Sequence, residues 1–292
     1  KPRQLLPPIT DPLAPRALVE LNLFSTALFV LAALFSQFLL TLFTALFLKI
    51  NDISFEYGLF AINFKSEISY SMFPLKDLSQ ASSIWSEEQI YITFITGPVI
   101  LTAMGMRLLF QLKKMLLAGW KTKLVLTWLA FVLVNTLPCG IVAGVFFYEG
   151  FGTAFHWMVG DYFVRGFVGI GVLLVLVSVS RFWRRLFLNA CYHPAFLEDE
   201  YNQKRFINQV FLKPWFYGWI ILLLFNRPAT NFYWPAFLLC LGVMPLVMQS
   251  LRYQTIFIAP SDNRIFTSRR QILILLIAIG CIWFAGTFRI NL

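Results

Sequence analysis

Hydrophobic and polar positions along this chain fall into long blocks, and the first block sets the scale. Residues 21–48 run for 28 positions without one charged side chain. As a helix that run extends about 42 Å, against a bilayer hydrocarbon core about 30 Å thick. Similar blocks predict further spans over about 89–111, 124–147, 163–180, 207–225, 232–249 and 271–288, seven with the first. The fifth is short, because its continuous apolar part is 215–225 and it needs residues from about 207 to cross.

One stretch breaks the pattern. Residues 50–88 alternate in places, with Ile53, Phe55, Tyr57 and Leu59 on one side, which is strand rather than helix periodicity. The expected fold is therefore an all-α polytopic integral membrane protein of about seven transmembrane helices, with a small extramembrane β-hairpin-like cap after the first. A Pro-rich basic segment at 1–16 precedes a single transmembrane domain over 17–292. Two basic amphipathic segments, 107–123 and 181–213, are expected on the membrane surface, and 148–163 as a short loop.

Composition agrees with this class: 59% of residues are hydrophobic and 13% charged, where a soluble domain carries about 25% charged. The net charge of +10 is read as an orientation signal and not as a nucleic-acid interface. With the N-terminus inside, the inner segments hold 18 Lys and Arg and the outer ones six. That bias predicts a cytoplasmic N-terminus, an outside C-terminus and, by default, a bacterial inner membrane.

Polar residues inside the spans supply the candidate sites. Gln37 and Thr41 belong to a narrow polar stripe on the first span that should face other helices. Gly97-Pro98 in the second span predicts a kink, Asn135 with Pro138 in the third marks a local break or a packed polar contact, and Gly140 with Gly144 permit close helix approach. No span carries Asp, Glu, Lys or Arg near its middle, which counts against proton-coupled transport. The four cysteines form no CxxC pair. The two histidines are too few for a multi-histidine iron site. Glu149, His156 and Asp161 are candidate metal ligands by type alone; no cofactor is expected.

The order of motifs resembles the site-2-type intramembrane metalloproteases. In that family an early span carries HExxH, a membrane-associated β-hairpin follows, and later spans carry Gly-Pro and Asn-x-x-Pro. Here residues 36–40 (SQFLL) stand where HExxH would lie; the alternating stretch, Gly97-Pro98 and Asn135-x-x-Pro138 follow in order. Asp161 stands in for the family's aspartate but comes late, without the following Gly. With the zinc histidines and the glutamate base absent, the resemblance implies a catalytically dead relative.

Three functional classes follow. The first is a non-enzymatic subunit or scaffold that binds the lipid bilayer and partner helices, in a complex or a homo-oligomer. The second is a transporter or channel for a small solute, passing Gln37 and Asn135. The third is a degenerate or divergent intramembrane protease-like protein, which would need Glu149, His156 and Asp161 to converge.

Overall fold

The computed structural model describes residues 14–51, 55–58, 61–64, 87–115, 118–146, 151–225 and, further on, 244, 247–248, 272–273, 276–280 and 289–291. Helix α1 spans Pro15–Ile50, its first turn set by Pro15, whose fixed φ and missing N–H suit that position. It ends where Lys49 meets the carbonyl end of the helix dipole and the Asn51 side chain donates to the Phe47 carbonyl at 2.8 Å. Strands β1 (Phe55–Gly58) and β2 (Ala61–Phe64) pair antiparallel, Phe55 opposite Phe64. Strand β3 (Arg289–Asn291) pairs with the other edge of β1, giving the order β2-β1-β3.

The bundle continues with α2 (Glu87–Lys114), α3 (Trp120–Phe146), the short α4 (Phe151–Met158) and α5 (Tyr162–Asn189). A 3-10 turn at Pro194–Phe196 leads into α6 (Glu200–Ile207), a π-helical turn (Asn208–Leu212) and α7 (Lys213–Phe225). Among the described residues, four helices are long and apolar enough to cross a membrane: Pro15–Ile50, Tyr91–Lys114, Trp120–Phe146 and Tyr162–Asn189. They correspond to the first four expected spans.

Several boundaries differ from the sequence reading. Residues 107–114 extend α2, because Leu108, Leu109 and Leu112 pack on the core and carry the helix past the basic residues. A separate surface helix over 107–123 is therefore absent, and α3 begins at Trp120. Likewise 181–189 is the C-terminal end of α5, where Trp183, Arg184, Phe187 and Leu188 are buried. The expected loop at 148–163 contains α4, whose Phe151 and Phe155 pack against α3. The fifth expected span is the later part of a helical run from Glu200 to Phe225, of which α7 has 13 residues. The sixth and seventh lie mostly outside the described residues, as do residues 1–13 and most of the expected cap; 244, 247–248, 272–273 and 276–280 are helical.

Trp128 sits at the centre. It is fully buried, its ring stacked on Phe211 (16°, 5.2 Å between centroids) and 4.9 Å from both Phe29 and Phe187. Phe131 meets Trp183 and Phe211 edge-on, each at 5.0 Å. Helix α3 is thus the hub: 67% of its most apolar window is buried, against 22% for α5. Where lipid is as apolar as the core, such contacts hold helices together through close packing and geometry and not through the hydrophobic effect.

Glycines set the closest approaches. A Cβ at Gly105 would stand 2.7 Å from the Val134 backbone nitrogen, so α2 and α3 nearly touch there. At Gly169 it would stand 2.7 Å from Val145, and at Gly218 it would collide with the Phe29 ring.

Candidate functional site

Polar side chains of α1 form a seam against the rest of the bundle, and its origin is Pro214. That residue has no N–H, so a carbonyl one turn earlier loses its donor. The chain answers with a π turn, in which the Lys213 N–H reaches back to the Asn208 carbonyl. The Gln209 and Val210 carbonyls are then served from outside. Asn22 Nδ2 donates to the Gln209 oxygen at 3.3 Å, and Ser25 Oγ to the Val210 oxygen at 2.6 Å. Ser25 also accepts from Trp128 Nε1 at 2.8 Å, so one hydroxyl ties α1, α3 and the π turn together.

Further along α1, Ser36 Oγ and Thr136 Oγ1 lie 3.4 Å apart, both buried. Thr136 also donates to its own helix at Val132, and Asn135 Nδ2 to the Phe131 carbonyl at 2.7 Å. Thr41 Oγ1 lies 2.9 Å from the Phe38 carbonyl and 3.2 Å from that of Gln37, and Thr44 donates to Leu40. These hydroxyls are satisfied by the preceding turn, as is usual for Ser and Thr in apolar helices. Gln37 is half-buried on the same face.

Gly97 adjoins Leu40 and Phe43, which places Gly97-Pro98, inside the uninterrupted helix α2 where a kink was expected, against the last third of α1. Pro138 lies inside α3, and the nearby Leu137 N–H is 3.4 Å from Thr102 Oγ1 on α2. Gly140 and Gly144 receive Phe151 and Phe155 of α4, so this small pair seats a short neighbouring helix. The structure thus brings the Ser36 and Asn135 regions together.

It does not assemble a metal centre. Asp161 is exposed and caps α5, accepting from the Val164 N–H at 3.1 Å. His156 is buried in α4, and Glu149 lies outside the described residues. Among the described residues no three His, Cys, Asp or Glu side chains gather to hold an ion. Cys139 and Cys191 are buried thiols; Cys191 donates to the His193 carbonyl at 3.2 Å, and burial pushes its pKa up to about 12. A thiol so protonated is a poor nucleophile. Cys240 and Cys281 lie outside the described residues.

Sequence reasoning passed over Asn22, Ser25 and Trp128. The signal was present in Pro214, whose missing donor demands hydroxyls or amides on a neighbouring helix. It also passed over Arg184, fully buried near the C-terminal end of α5 with Nη2 3.4 Å from Gln203 Oε1. No protein-family model matches the chain, and no curated protein or solved structure is significantly similar to it.

Proposed function

We propose that this chain is a non-enzymatic multi-span membrane protein, a subunit or scaffold that holds a partner's transmembrane helix against α5. The observation that carries this reading is the outward face of α5. Phe163, Phe167, Ile170 and Leu174 are each more than half exposed there. Beside them, a Cβ at Gly166 or Gly171 would meet nothing within 4 Å among the described residues. Glycine inside a helix costs about 0.5–1 kcal/mol relative to alanine. Gly169 has an internal reason in Val145, whereas Gly166 and Gly171 have none among the described residues. Small residues flanked by large apolar ones are the usual notch for a second helix in lipid.

Strand pairing supports the seven-span arrangement with both the cap and the C-terminus outside. Open strand edges do not occur in hydrocarbon, so β1 and β3 share one side of the membrane. The chain then crosses an even number of times between α1 and β3. Three of those crossings fit α2, α3 and α5, and three fit the remaining expected spans, which with α1 gives seven.

Recovery of the protein from its own membrane without overexpression, followed by native mass spectrometry, tests the scaffold. A stoichiometric protein partner, lost in a Gly166→Leu/Gly171→Leu variant of unchanged thermal stability, is the expected result. A lone chain, or a partner indifferent to those substitutions, would overturn it.

A second reading, a degenerate intramembrane protease-like protein, draws on the Ser36–Thr136 contact. That contact joins the two stretches standing where such a protease keeps its zinc motif and its Asn-x-x-Pro. A photocrosslinker at Gln37 that captured only lipid would count against it.

A further inference from the structure

Arg165 stands one residue from the Gly166 notch of α5, with only 2% of its surface exposed. Neither its Nε nor its Nη1 has a hydrogen-bond partner among the described residues. Its guanidinium carbon lies 5.7 Å from the centre of the Tyr162 ring. A ring attracts a cation through its face, whereas the N–H donors of arginine lie in the guanidinium plane, so this contact offsets the charge only in part. Asp161, one turn earlier, is exposed and spends a carboxylate oxygen on the Val164 N–H at 3.1 Å.

The placement is costly for two reasons. A buried cation whose donors are unmet has lost its hydration and gained little in return. Arg165 also lies in the first turn of α5, and its side chain leans toward the N-terminus, where the helix dipole is positive.

Its depth narrows what could meet the charge. The 28 residues of α5 extend about 42 Å and exceed a hydrocarbon core of about 30 Å by about 6 Å at each end, the excess being shared equally. Arg165, about 4.5 Å into the helix, then lies at the edge of the hydrocarbon. From that level an arginine ordinarily snorkels to the headgroups. Tyr162 and Phe163 do open outward, at 62% and 77% exposure, whereas Arg165 is held beside the Tyr162 ring and buried. Open space adjoins it on the glycine side, where a Cβ at Gly166 would meet nothing within 4 Å among the described residues.

We infer that Arg165 selects the helix that docks on α5: the partner brings an Asp or Glu side chain to the level of Gly166, where it displaces the Tyr162 ring and pairs with the guanidinium. Ionisable groups of membrane helices pair with one another in this way, and a planar guanidinium takes a carboxylate through two parallel donors. The inference rests on the scaffold reading for its partner helix and adds the chemistry that the partner must carry.

Two measurements on the full chain test it. In native mass spectrometry of the protein recovered from its own membrane, Arg165→Gln should lower the fraction carrying the partner at least about ten-fold. Arg165→Lys should lower it less, and Arg181→Gln, further along α5, not at all. In the purified chain freed of its partner, Arg165→Met should shift the melting temperature upward, because it removes an unmatched buried charge. A downward shift would reveal a counter-ion within this chain and overturn the inference. So would a partner that leaves with Gly166→Leu/Gly171→Leu but stays with Arg165→Gln, a result that keeps the scaffold reading. Recovery of no partner at all would remove both. A phospholipid, and not a protein, released by Arg165→Gln would give the guanidinium to a headgroup phosphate and overturn the partner's acid.

Discussion

The Ser25 hydroxyl donates to the Val210 carbonyl over 2.6 Å and accepts from the Trp128 indole at 2.8 Å, a double duty imposed by Pro214 nearly two hundred residues away in sequence. Ser25→Ala strands a carbonyl and an indole N–H in a fully buried site, which costs about 1–3 kcal/mol. If Pro214 is the cause, Pro214→Ala restores a backbone donor to the π turn and reduces the loss. Thermal unfolding of the two single variants and the double variant in detergent should show positive coupling. Strict additivity would separate Ser25 from the proline.

Gly105 is expected to be the least substitutable glycine of α2. Its nearest neighbours are the Val134 nitrogen and side chain at 2.7 and 2.8 Å and Leu133 Cβ at 2.9 Å, and backbone cannot rotate aside. Gly105→Val should lower stability by about 1–3 kcal/mol through overpacking. Gly171→Ala, facing open space among the described residues, should leave the melting temperature unchanged or raise it slightly. A melting temperature unchanged by Gly105→Val would mean that α2 and α3 lie further apart than the structure places them.

The long apolar blocks made the first four spans readable from sequence, because uncharged runs of that length have one stable solution in a bilayer. The helix ends were not readable. Basic residues at 107–114 and 181–189 resemble surface segments, yet Leu109 and Trp183 on the same turns are pulled into the core and carry the helix with them. The Gly140 and Gly144 pair was legible as a close approach but not as a seat for α4, since Phe151 and Phe155 gave no sign of helix in so short a connection. The polar seam was half legible: Gln37 and Thr41 stand out as a stripe, whereas Asn22 and Ser25 matter only through Pro214.

Cys191 should make stability fall at high pH. Burial raises its thiol from an ordinary 9.0 to about 12, outweighing the hydrogen bonds from the His193 and Tyr192 backbone, which act the other way. Between those values the unfolded chain has lost the proton and the native chain keeps it, so the native state binds more protons and loses stability as pH rises. Below about pH 8 the group contributes no slope. Melting temperatures from neutral pH to pH 11 should decline less steeply in Cys191→Ala than in the parent. Parallel curves would show that the thiol reaches water.

Arg184 and Gln203 present the sharpest energetic question where α5 meets α6. Both are fully buried; Nη2 of the arginine lies 3.4 Å from Oε1 of the glutamine, and Glu200 adds an attractive charge. A buried cation held by a neutral amide depends on that amide, so Gln203→Leu should cost about 1.5–3 kcal/mol. Arg184→Met alone takes one donor from the Gln203 amide oxygen and should also destabilise, by less. The double variant Arg184→Met/Gln203→Leu replaces both partners by apolar groups of similar length and should recover most of the stability, because it leaves no buried charge. A double-mutant cycle of thermal unfolding measures this directly. If the double variant is as unstable as the sum of the single ones, α5 and α6 are joined by something other than this pair.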